Sequence, residues 1–315
     1  MEKPLVSVCC LTFNHAPYIR DCLNGFINQK VDFDIEILIH DDASTDGTTE
    51  IIEEFQDRYP DMIKPIFQRE NQFSKGVRGI SFRYNFPRAK GKYIALCEGD
   101  DFWTDHCKLK KQVDFLEKNT NFSISCGGYR KIDIYSGVDE MVIQKKIGSS
   151  RNKKTYDNGF EFSLIDLSTS WLTKTLTVLF RKENLDLHIL QSYKYSRDVH
   201  LYHQLLTKGK GFYFTEVFGA YRVHPGGIHS LKSKEIKAEN AYLVFEELYR
   251  AQKDVYTRSQ YYNASLSKLK IETKRALCKR AFSNQMYFTL KCLQSASSIK
   301  DILRVLIVLF RLTRN

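Results

Sequence analysis

Two acidic clusters carry the clearest chemical signal in this 315-residue chain. The first is His40-Asp41-Asp42-Ala43-Ser44-Thr45-Asp46-Gly47, and the second is Glu98-Gly99-Asp100-Asp101-Phe102-Trp103. Each directly follows a short apolar run. Asp, Ser and Thr suit a turn or a helix cap, but a cap needs one such residue and Asp41 to Gly47 holds five. The neighbouring carboxylates of Asp100 and Asp101 repel each other unless something positive lies beside them. A divalent cation with oxygen ligands meets that need, and Mg²⁺ or Mn²⁺ typically takes one or two carboxylates and fills its other positions from substrate phosphates. Thr12-Phe13-Asn14 closes another apolar run, and the polar connection Arg69–Arg83 contains Lys75, Arg78 and Arg83. No G-x-G-x-x-G follows the first apolar run and no G-x-x-x-x-G-K-[ST] occurs anywhere. Phosphates would therefore be held by metal and basic side chains, not by a glycine loop.

These clusters need elements that bring them to one place. Leu5–Thr12, Asp34–His40, Ile63–Gln68 and Tyr93–Cys97 read as buried strands. Helical spacing recurs at Tyr18, Ile19, Cys22, Leu23, Phe26 and Ile27, at Ile51, Ile52, Phe55 and Tyr59, and at Leu109, Val113 and Leu116. Ser44, Thr45 or Asp46 suits the cap of the second helix. Strands alternating with helices predict an α/β fold with a mostly parallel sheet covered on both faces. In such sheets ligands bind at the carboxyl ends of the strands, where all four polar segments fall. After Phe122 the pattern changes. Phe122–Tyr135 reads as one or two strands, Gly137–Phe160 as an irregular polar excursion, Thr175–Arg181 as a strand, Val199–Leu206 as a helix and Phe212–Val223 as two short strands. From Ser233 onward the chain reads as helical.

Composition bounds the alternatives. Hydrophobic residues make up 43% and charged residues 27%, which fits a globular protein and excludes global disorder. The net charge of +11 is uneven: residues 231–315 hold 17 Lys and Arg against 7 Asp and Glu, a net of +10, leaving +1 for residues 1–230. This divides the chain into a near-neutral domain, 1–230, and a basic helical extension, 231–315. None of the eight cysteines forms a C-x-x-C pair, and several sit in apolar runs, as small buried hydrophobes do. With no leader-like segment at Met1-Glu2-Lys3-Pro4, this predicts a reducing cytoplasmic location. Ile302–Leu312 is too short to span a bilayer, which takes about 20 apolar residues, and it is flanked by Lys300, Arg304, Arg311 and Arg314. It suits either an interfacial helix or a helix packed on the domain.

The order of these segments resembles the family 2 glycosyltransferases, inverting enzymes with the GT-A nucleotide-sugar-binding fold. The resemblance covers about residues 4–230. It rests on Val6-Ser7-Val8 through Thr12-Phe13-Asn14, on Asp41-Asp42-Ala43-Ser44-Thr45-Asp46, on Ala89-Lys90-Gly91-Lys92-Tyr93-Ile94 and on Asp100-Asp101. Gly91–Gln112 is especially similar to members that build bacterial surface polysaccharides. The resemblance implies a Rossmann-like sheet, a donor that is a nucleotide sugar such as a UDP-sugar, a glycan or lipid-linked acceptor, and Mn²⁺ or Mg²⁺. It implies that Asp42 binds the nucleotide base with Phe13 flanking it, that Thr12, Asn14, Asp41 and Arg83 line the donor site, that Asp101 binds the metal and that Asp100 contacts donor ribose or sugar. The sequence departs from strict D-x-D spacing, reading Glu98-Gly99-Asp100-Asp101. The family's general base, an Asp at the start of a late helix, matches Asp198 in Ser196-Arg197-Asp198-Val199-His200-Leu201; helix capping is the structural alternative for that residue. His200 and His203 read as packing or acceptor-side residues. Tyr221-Arg222-Val223-His224-Pro225-Gly226-Gly227-Ile228-His229-Ser230 resembles the family's closing loop, with Arg222 toward the diphosphate and His224 toward metal or phosphate.

Two other readings compete. A non-catalytic protein with a degenerate nucleotide-binding fold would use its basic tail on a membrane or nucleic acid, but no zinc, RRM or KH signature supports nucleic acid. A nucleotidyltransferase of similar topology would need a glycine-rich loop after the first strand, which is absent. The basic tail suits peripheral contact with the inner face of an anionic membrane. Deletion of residues 295–315 is expected to reduce cosedimentation of the chain with anionic vesicles; unchanged sedimentation would remove the tail from that role.

Overall fold

The computed structural model describes residues 3–144, 154–169, 173–227 and 233–251, together with Tyr261, Ala264, Ile302 and Leu303. The chain falls into two compact units, Met1–Ser230 and Leu231–Asn315. In chain order the first unit contains β1 (Val6–Thr12), α1 (Ile19–Ile27), β2 (Ile35–Asp41), α2 (Thr48–Arg58), β3 (Ile63–Phe67), β4 (Tyr93–Glu98), β5 (Phe102–Trp103) and α3 (Lys108–Lys118). It continues with β6 (Phe122–Asp133), β7 (Val138–Val142), β8 (Thr155–Tyr156), β9 (Gly159–Phe162), α4 (Leu164–Thr169), β10 (Leu179–Arg181), α5 (Leu187–Ser192), α6 (Asp198–Lys208) and β11 (Lys210–Val223). The second unit contains α7 (Lys234–Ala251). Apart from Ile302 and Leu303, the segment Ile302–Leu312 lies outside the described residues.

The sheet runs β3-β2-β1-β4-β10-β6-β11-β9-β8, with β5 paired to β11 and β7 to β6. β1 pairs in parallel with β2 on one side and β4 on the other, and β3 extends the parallel half beyond β2. β10 enters antiparallel between β4 and β6, and β6 pairs in parallel with β11. The strands of the parallel half are almost continuously apolar, as burial on both faces requires. Ile19, Cys22, Leu23 and Phe26 of α1, Ile52 and Phe55 of α2 and Leu109, Val113 and Leu116 of α3 are buried in one core with Val6, Val8, Ile37, Ile39, Tyr93 and Ala95.

The turn before β4 explains Ala89-Lys90-Gly91-Lys92. Ser7 donates from Oγ to Glu36 Oε1 at 2.6 Å, the Lys90 amide donates to the same oxygen at 2.6 Å, and the Gly91 amide donates to Ser7 Oγ at 2.8 Å. Buried Glu36 thereby has the partners its charge needs. A Cβ at Gly91 would lie 2.6 Å from the Ser7 backbone nitrogen, so only glycine lets the turn approach β1.

Four expectations from the sequence change in the structure. Gly137–Phe160 is not wholly irregular: β7 and β8 form there and β9 begins there, because β6 and β11 each offer an edge to pair with. Thr175–Thr177 is a 3-10 turn and only Leu179–Arg181 pairs as a strand. Lys210–Val223, expected as two short strands, is one long strand beside the single strand Phe122–Asp133, and β11 absorbs its irregularity as register shifts against β6. The cap residue of α2 is Gly47, in a left-handed conformation with φ 97°, while the Asp46 carboxylate bonds the Thr48 amide.

A buried polar link joins α3 to the far half of the sheet. Lys108 Nζ donates to Gln112 Oε1 at 2.7 Å and lies 4.2 Å from the centre of the Trp103 ring. Gln112 Nε2 donates to the carbonyls of Thr177 and Ser125. Burial lowers the Lys108 ammonium from 10.5 to about 7. Between these values the unfolded chain holds a proton that the folded chain has lost, so this residue makes stability rise with pH across roughly pH 7 to 10. Wild type minus Lys108→Met, compared by thermal midpoint, is expected to grow more favourable to wild type over that range; a flat difference would contradict it.

Candidate active site

The carboxyl ends of β1, β2 and β4 lie side by side because their parallel registers are matched: Thr12 opposes Asp41, and Leu11 opposes Glu98. The first two loops are stitched together by Asn14 and Asp46. The Asn14 amide donates to Ser44 Oγ at 2.8 Å, the Thr45 amide donates to Asn14 Oδ1 at 2.8 Å, and the Ala16 amide donates to Asp46 Oδ2 at 3.0 Å. Asn14 and Ala43, one in each loop, are the described non-glycine residues with positive φ, at 55° and 65°. For Ala43 that conformation is strained and is held by the surrounding hydrogen bonds.

The two acids of the first cluster do different work. Asp41 is buried and turned inward: Oδ1 accepts from Ser44 Oγ at 2.5 Å and Oδ2 from Thr49 Oγ1 at 2.6 Å. It builds the loop and does not face the cleft. Asp42 reaches the Arg69–Arg83 connection, where Oδ1 accepts from the Gln72 amide at 2.8 Å and Oδ2 from the Phe73 amide at 3.0 Å. His40 Nε2 stands 3.5 Å from Asp42 Oδ1, and its ring lies against Tyr84, whose hydroxyl meets Gln72 Oε1 at 3.3 Å. Phe13 is 43% exposed beside this segment of the sheet edge. Arg83 points elsewhere: its guanidinium donates to the carbonyls of Arg78 and Gln191, tying a π-helical turn at Ser81–Asn85 to α5.

In the second cluster, three ligating groups converge. Asp100 Oδ2 lies 3.0 Å from His224 Nε2 and 3.7 Å from His15 Nε2. Ligand atoms of His15, Asp100 and His224 all fall within 4.8 Å of one another, the group of this kind among the described residues. Burial lowers the His15 imidazole, against the pull of Asp100, so it favours the neutral form in which a ring nitrogen can ligate. Burial opposes ionisation of Asp100, but the hydrogen bond from His224 and the nearby imidazoles outweigh it and hold the carboxyl below its ordinary value. The donor set of two imidazoles and one carboxylate fits a divalent cation. Buried His15 Nδ1 and Thr12 Oγ1 have no hydrogen-bond partner, and both border the space above Gly99, where a Cβ would come within 3.0 Å of each.

Asp101 does not join this group. It is 2% exposed, its Oδ1 accepts the Arg222 amide at 2.9 Å, and burial with the neighbouring Asp100 and Glu98 charges pushes its carboxyl well above the ordinary range. Of the two acids expected at the metal and donor, Asp100 faces the histidines and Asp101 accepts the Arg222 amide of β11. Arg222 is also occupied. Its guanidinium bonds the Asp100 carbonyl at 3.2 Å and the Asp21 carboxylate, and lies 4.2 Å from the Phe102 ring centre. It holds the loop rather than presenting a free cation.

Asp198 is the first residue of α6. The cap position belongs to Arg197, whose amide donates to His200 Nδ1 at 3.1 Å, and Asp198 Oδ1 accepts the Val199 amide at 3.0 Å in the first turn, where an acid stabilises the helix end. Its charge acts on Glu98 and on Lys174, which places it at the acidic end of β4. His200 and His203 are buried on α6, and burial takes His203 down to about 4. Glu98 accepts from Thr175 Oγ1 at 2.5 Å and is pushed up to about 7 by burial and by the Asp100 and Asp198 charges. Lys174 sits among Asp101, Asp198 and Glu98 with Nζ 3.8 Å from the Tyr221 ring centre; burial lowers its ammonium. Sequence reading missed His15, Lys174 and Thr175. His15 directly follows Thr12-Phe13-Asn14, a position that signals its presence at the strand end, whereas the other two arrive through the antiparallel insertion of β10.

Comparison with known proteins bears on the family and the fold. The sequence pattern described as glycosyl transferase family 2 matches residues 7–174. The uncharacterized protein Rv1520 of Mycobacterium tuberculosis is 42% identical over 119 residues, 38% of this chain and 33% of its own length; the chain thus matches about a third of that relative. The putative teichuronic acid biosynthesis glycosyltransferase TuaG of Bacillus subtilis is 28% identical over 79% of this chain and 90% of its own length. The Escherichia coli protein WfaP, named as a UDP-Glc:alpha-D-GlcNAc-diphosphoundecaprenol beta-1,3-glucosyltransferase, is 29% identical over 74% of this chain and 82% of its own length. Among solved structures, Staphylococcus aureus TarS with UDP-GlcNAc superposes with a TM-score of 0.56 at 17% identity, covering 98% of this chain and 80% of that one. The mannosyltransferase PcManGT of Pyrobaculum calidifontis, with GDP-Man and Mn²⁺, gives 0.57 at 16% identity over 98% of this chain and 80% of that one. At these identities the superpositions speak for the GT-A fold.

The bonds from the Gln72 and Phe73 amides to Asp42 make a direct prediction. Bonds to a charged acceptor contribute about 1.5–3 kcal/mol each. Asp42→Ala is expected to speed hydrogen exchange at these two amides by roughly ten- to a hundredfold, while the β1 and β2 amides keep their protection; unchanged exchange at Gln72 and Phe73 would contradict it.

Proposed function

This chain belongs to glycosyl transferase family 2, and from that premise we propose that it is an inverting glycosyltransferase. It moves a sugar from a UDP-sugar to a hydroxyl of a glycan or lipid-linked acceptor in the synthesis of a bacterial surface polysaccharide. The observation that carries the reading is the convergence of Asp198, from a helix one hundred residues further along the chain, on the acidic end of β4. In this reading Asp198 is the carboxylate base, and Asp100 and His224 are the groups that would hold the metal.

The nucleotide base lies along the β1–β2 ends, beside exposed Phe13. The Asp42 carboxylate keeps acceptor capacity beyond its bonds to Gln72 and Phe73, and so suits a base that presents an N–H, as uracil does. Asp100 and His224 hold a divalent cation, and Glu98 stands beside the donor. When bound, the cation supplies Lewis-acid stabilisation of the departing diphosphate. Asp198 accepts the acceptor hydroxyl's proton as that oxygen attacks the anomeric carbon. The bond from that carbon to the diphosphate oxygen breaks on the opposite face, and UDP leaves. Lys174 lowers the repulsion among Glu98, Asp101 and Asp198. The names of TuaG and WfaP support a surface-polysaccharide role, and that of WfaP a lipid-linked acceptor. No helix among the described residues is long and apolar enough to cross a membrane; we place the chain in the cytoplasm, with the basic extension reaching the inner membrane face.

Calorimetric titration with UDP tests the donor site, and is expected to show binding that strengthens with Mn²⁺ and weakens in Asp42→Ala. Asp198→Asn is expected to lower turnover of the accepted UDP-sugar about 10²- to 10⁴-fold with UDP affinity unchanged. Normal turnover in Asp198→Asn would overturn the assignment of the base, and a wild-type chain that binds no nucleotide would overturn the donor site.

A further inference from the structure

His15 stands beside Asp100 and His224 and takes no part in the proposed reaction steps. Its backbone is fixed independently of its side chain: the amide donates to Thr48 Oγ1 at 2.8 Å, and the carbonyl accepts from the Tyr18 and Ile19 amides at 2.8 Å each. The imidazole is thus delivered to Asp100 by the start of α1 and α2, with Nε2 facing the carboxylate oxygen that also meets His224. Resting on the metal-assisted reading of this cleft, we propose that His15 is a third protein ligand of the divalent cation, completing a two-imidazole, one-carboxylate site that selects Mn²⁺, Co²⁺ or Zn²⁺ over Mg²⁺.

Three observations carry this. The separations of 3.0 and 3.7 Å between Asp100 Oδ2 and the two imidazole nitrogens are of the order expected for ligands sharing one ion with bonds of about 2.0–2.2 Å. The Arg222 guanidinium is directed to the Asp100 carbonyl and to Asp21, while the Asp100 carboxylate faces the two imidazoles. Behind His15, Nδ1 and Thr12 Oγ1 are both buried without a partner on the two sides of the space above Gly99. A bond from Nδ1–H to a neighbouring oxygen is the outer contact that orients a histidine ligating through Nε2, and Thr12 Oγ1 is an unpartnered oxygen on that side. Selectivity follows from donor chemistry. Mg²⁺ prefers oxygen ligands and retains its waters, whereas imidazole favours the later divalent ions.

The test uses the full chain with UDP present, and reads metal binding rather than turnover. Calorimetry with Mn²⁺, Co²⁺ and Mg²⁺, together with the visible absorption of bound Co²⁺, is applied to wild type, His15→Ala, His15→Asp and Asp100→Asn. Wild type is expected to bind Mn²⁺ and Co²⁺ more tightly than Mg²⁺. His15→Ala is expected to lower Mn²⁺ and Co²⁺ affinity on the order of ten- to a hundredfold, to change the Co²⁺ spectrum and to leave Mg²⁺ binding little altered. His15→Asp, which restores an oxygen ligand, is expected to shift the preference toward Mg²⁺ even if the alanine variant folds poorly. A metal preference and Co²⁺ spectrum unchanged in both His15 variants, with binding still lost in Asp100→Asn, would overturn His15 as a ligand and leave the donor site standing. A wild-type chain that binds neither UDP nor metal would overturn both.

Discussion

The parallel pairing of β1 with β2 on one side and with β4 on the other is the constraint on which the rest of this protein depends. It sends three chain segments to one edge at the same level, with Thr12 beside Asp41 and Leu11 beside Glu98. The strands are mostly apolar because both faces are covered, and their polar side chains concentrate at the carboxyl ends, as Thr12, Asp41 and Glu98 do. Polar groups are displaced to the loops, and the parallel direction gathers those loops at one end. The loops are then made rigid by their own polar residues. Asn14, Asp41 and Asp46 satisfy backbone amides and hydroxyls across the gap and hold Ala43 in a conformation that it would not adopt alone.

Placing several carboxylates in one partly buried cleft creates an electrostatic problem, and each carboxylate meets it differently. Asp100 is held ionised by His224 and His15. Asp101 is pushed toward its neutral form and committed to the Arg222 amide. Glu98 leans on Thr175, and Lys174 supplies a cation between the strand end and Asp198. Neighbouring acids thus acquire different chemistry from their surroundings. The second half of the sheet is what makes this division. β10 carries Lys174 and Thr175 in at its approach, and β11 returns Arg222 and His224 to the edge laid down by the first half.

Much of the fold was legible because its signals are local. Apolar runs marked β1, β2 and β4, helical spacing marked α1 to α3, and polar clusters marked the strand ends, each within a window of about ten residues. The segments after Phe122 were less legible. β7 and β8 are short and polar, and they form because β6 and β9 provide edges to pair with; no periodicity of their own announces them. At the strand ends, Asp100 and His224 face each other, Asp42 accepts two amides of the Arg69–Arg83 connection, and Asp41, Asp101, Arg83 and Arg222 bond to neighbouring loops and strands. Aspartate occurs in each of these arrangements, so type alone does not separate them.

The sequence by itself determined which elements form, in what order, and which loops hold polar groups at the strand ends, since hydrophobic period and turn chemistry are properties of neighbouring residues. Only the tertiary structure decided which carboxylate faces which partner. Asp100 and Asp101 differ by one step along the chain, but that step turns one side chain to the histidines and the other to the Arg222 amide. His15, Lys174 and Asp198 join them from segments up to 183 residues apart. Their charges interact through space across contacts made by the packing of the sheet, and distance along the chain carries no record of that.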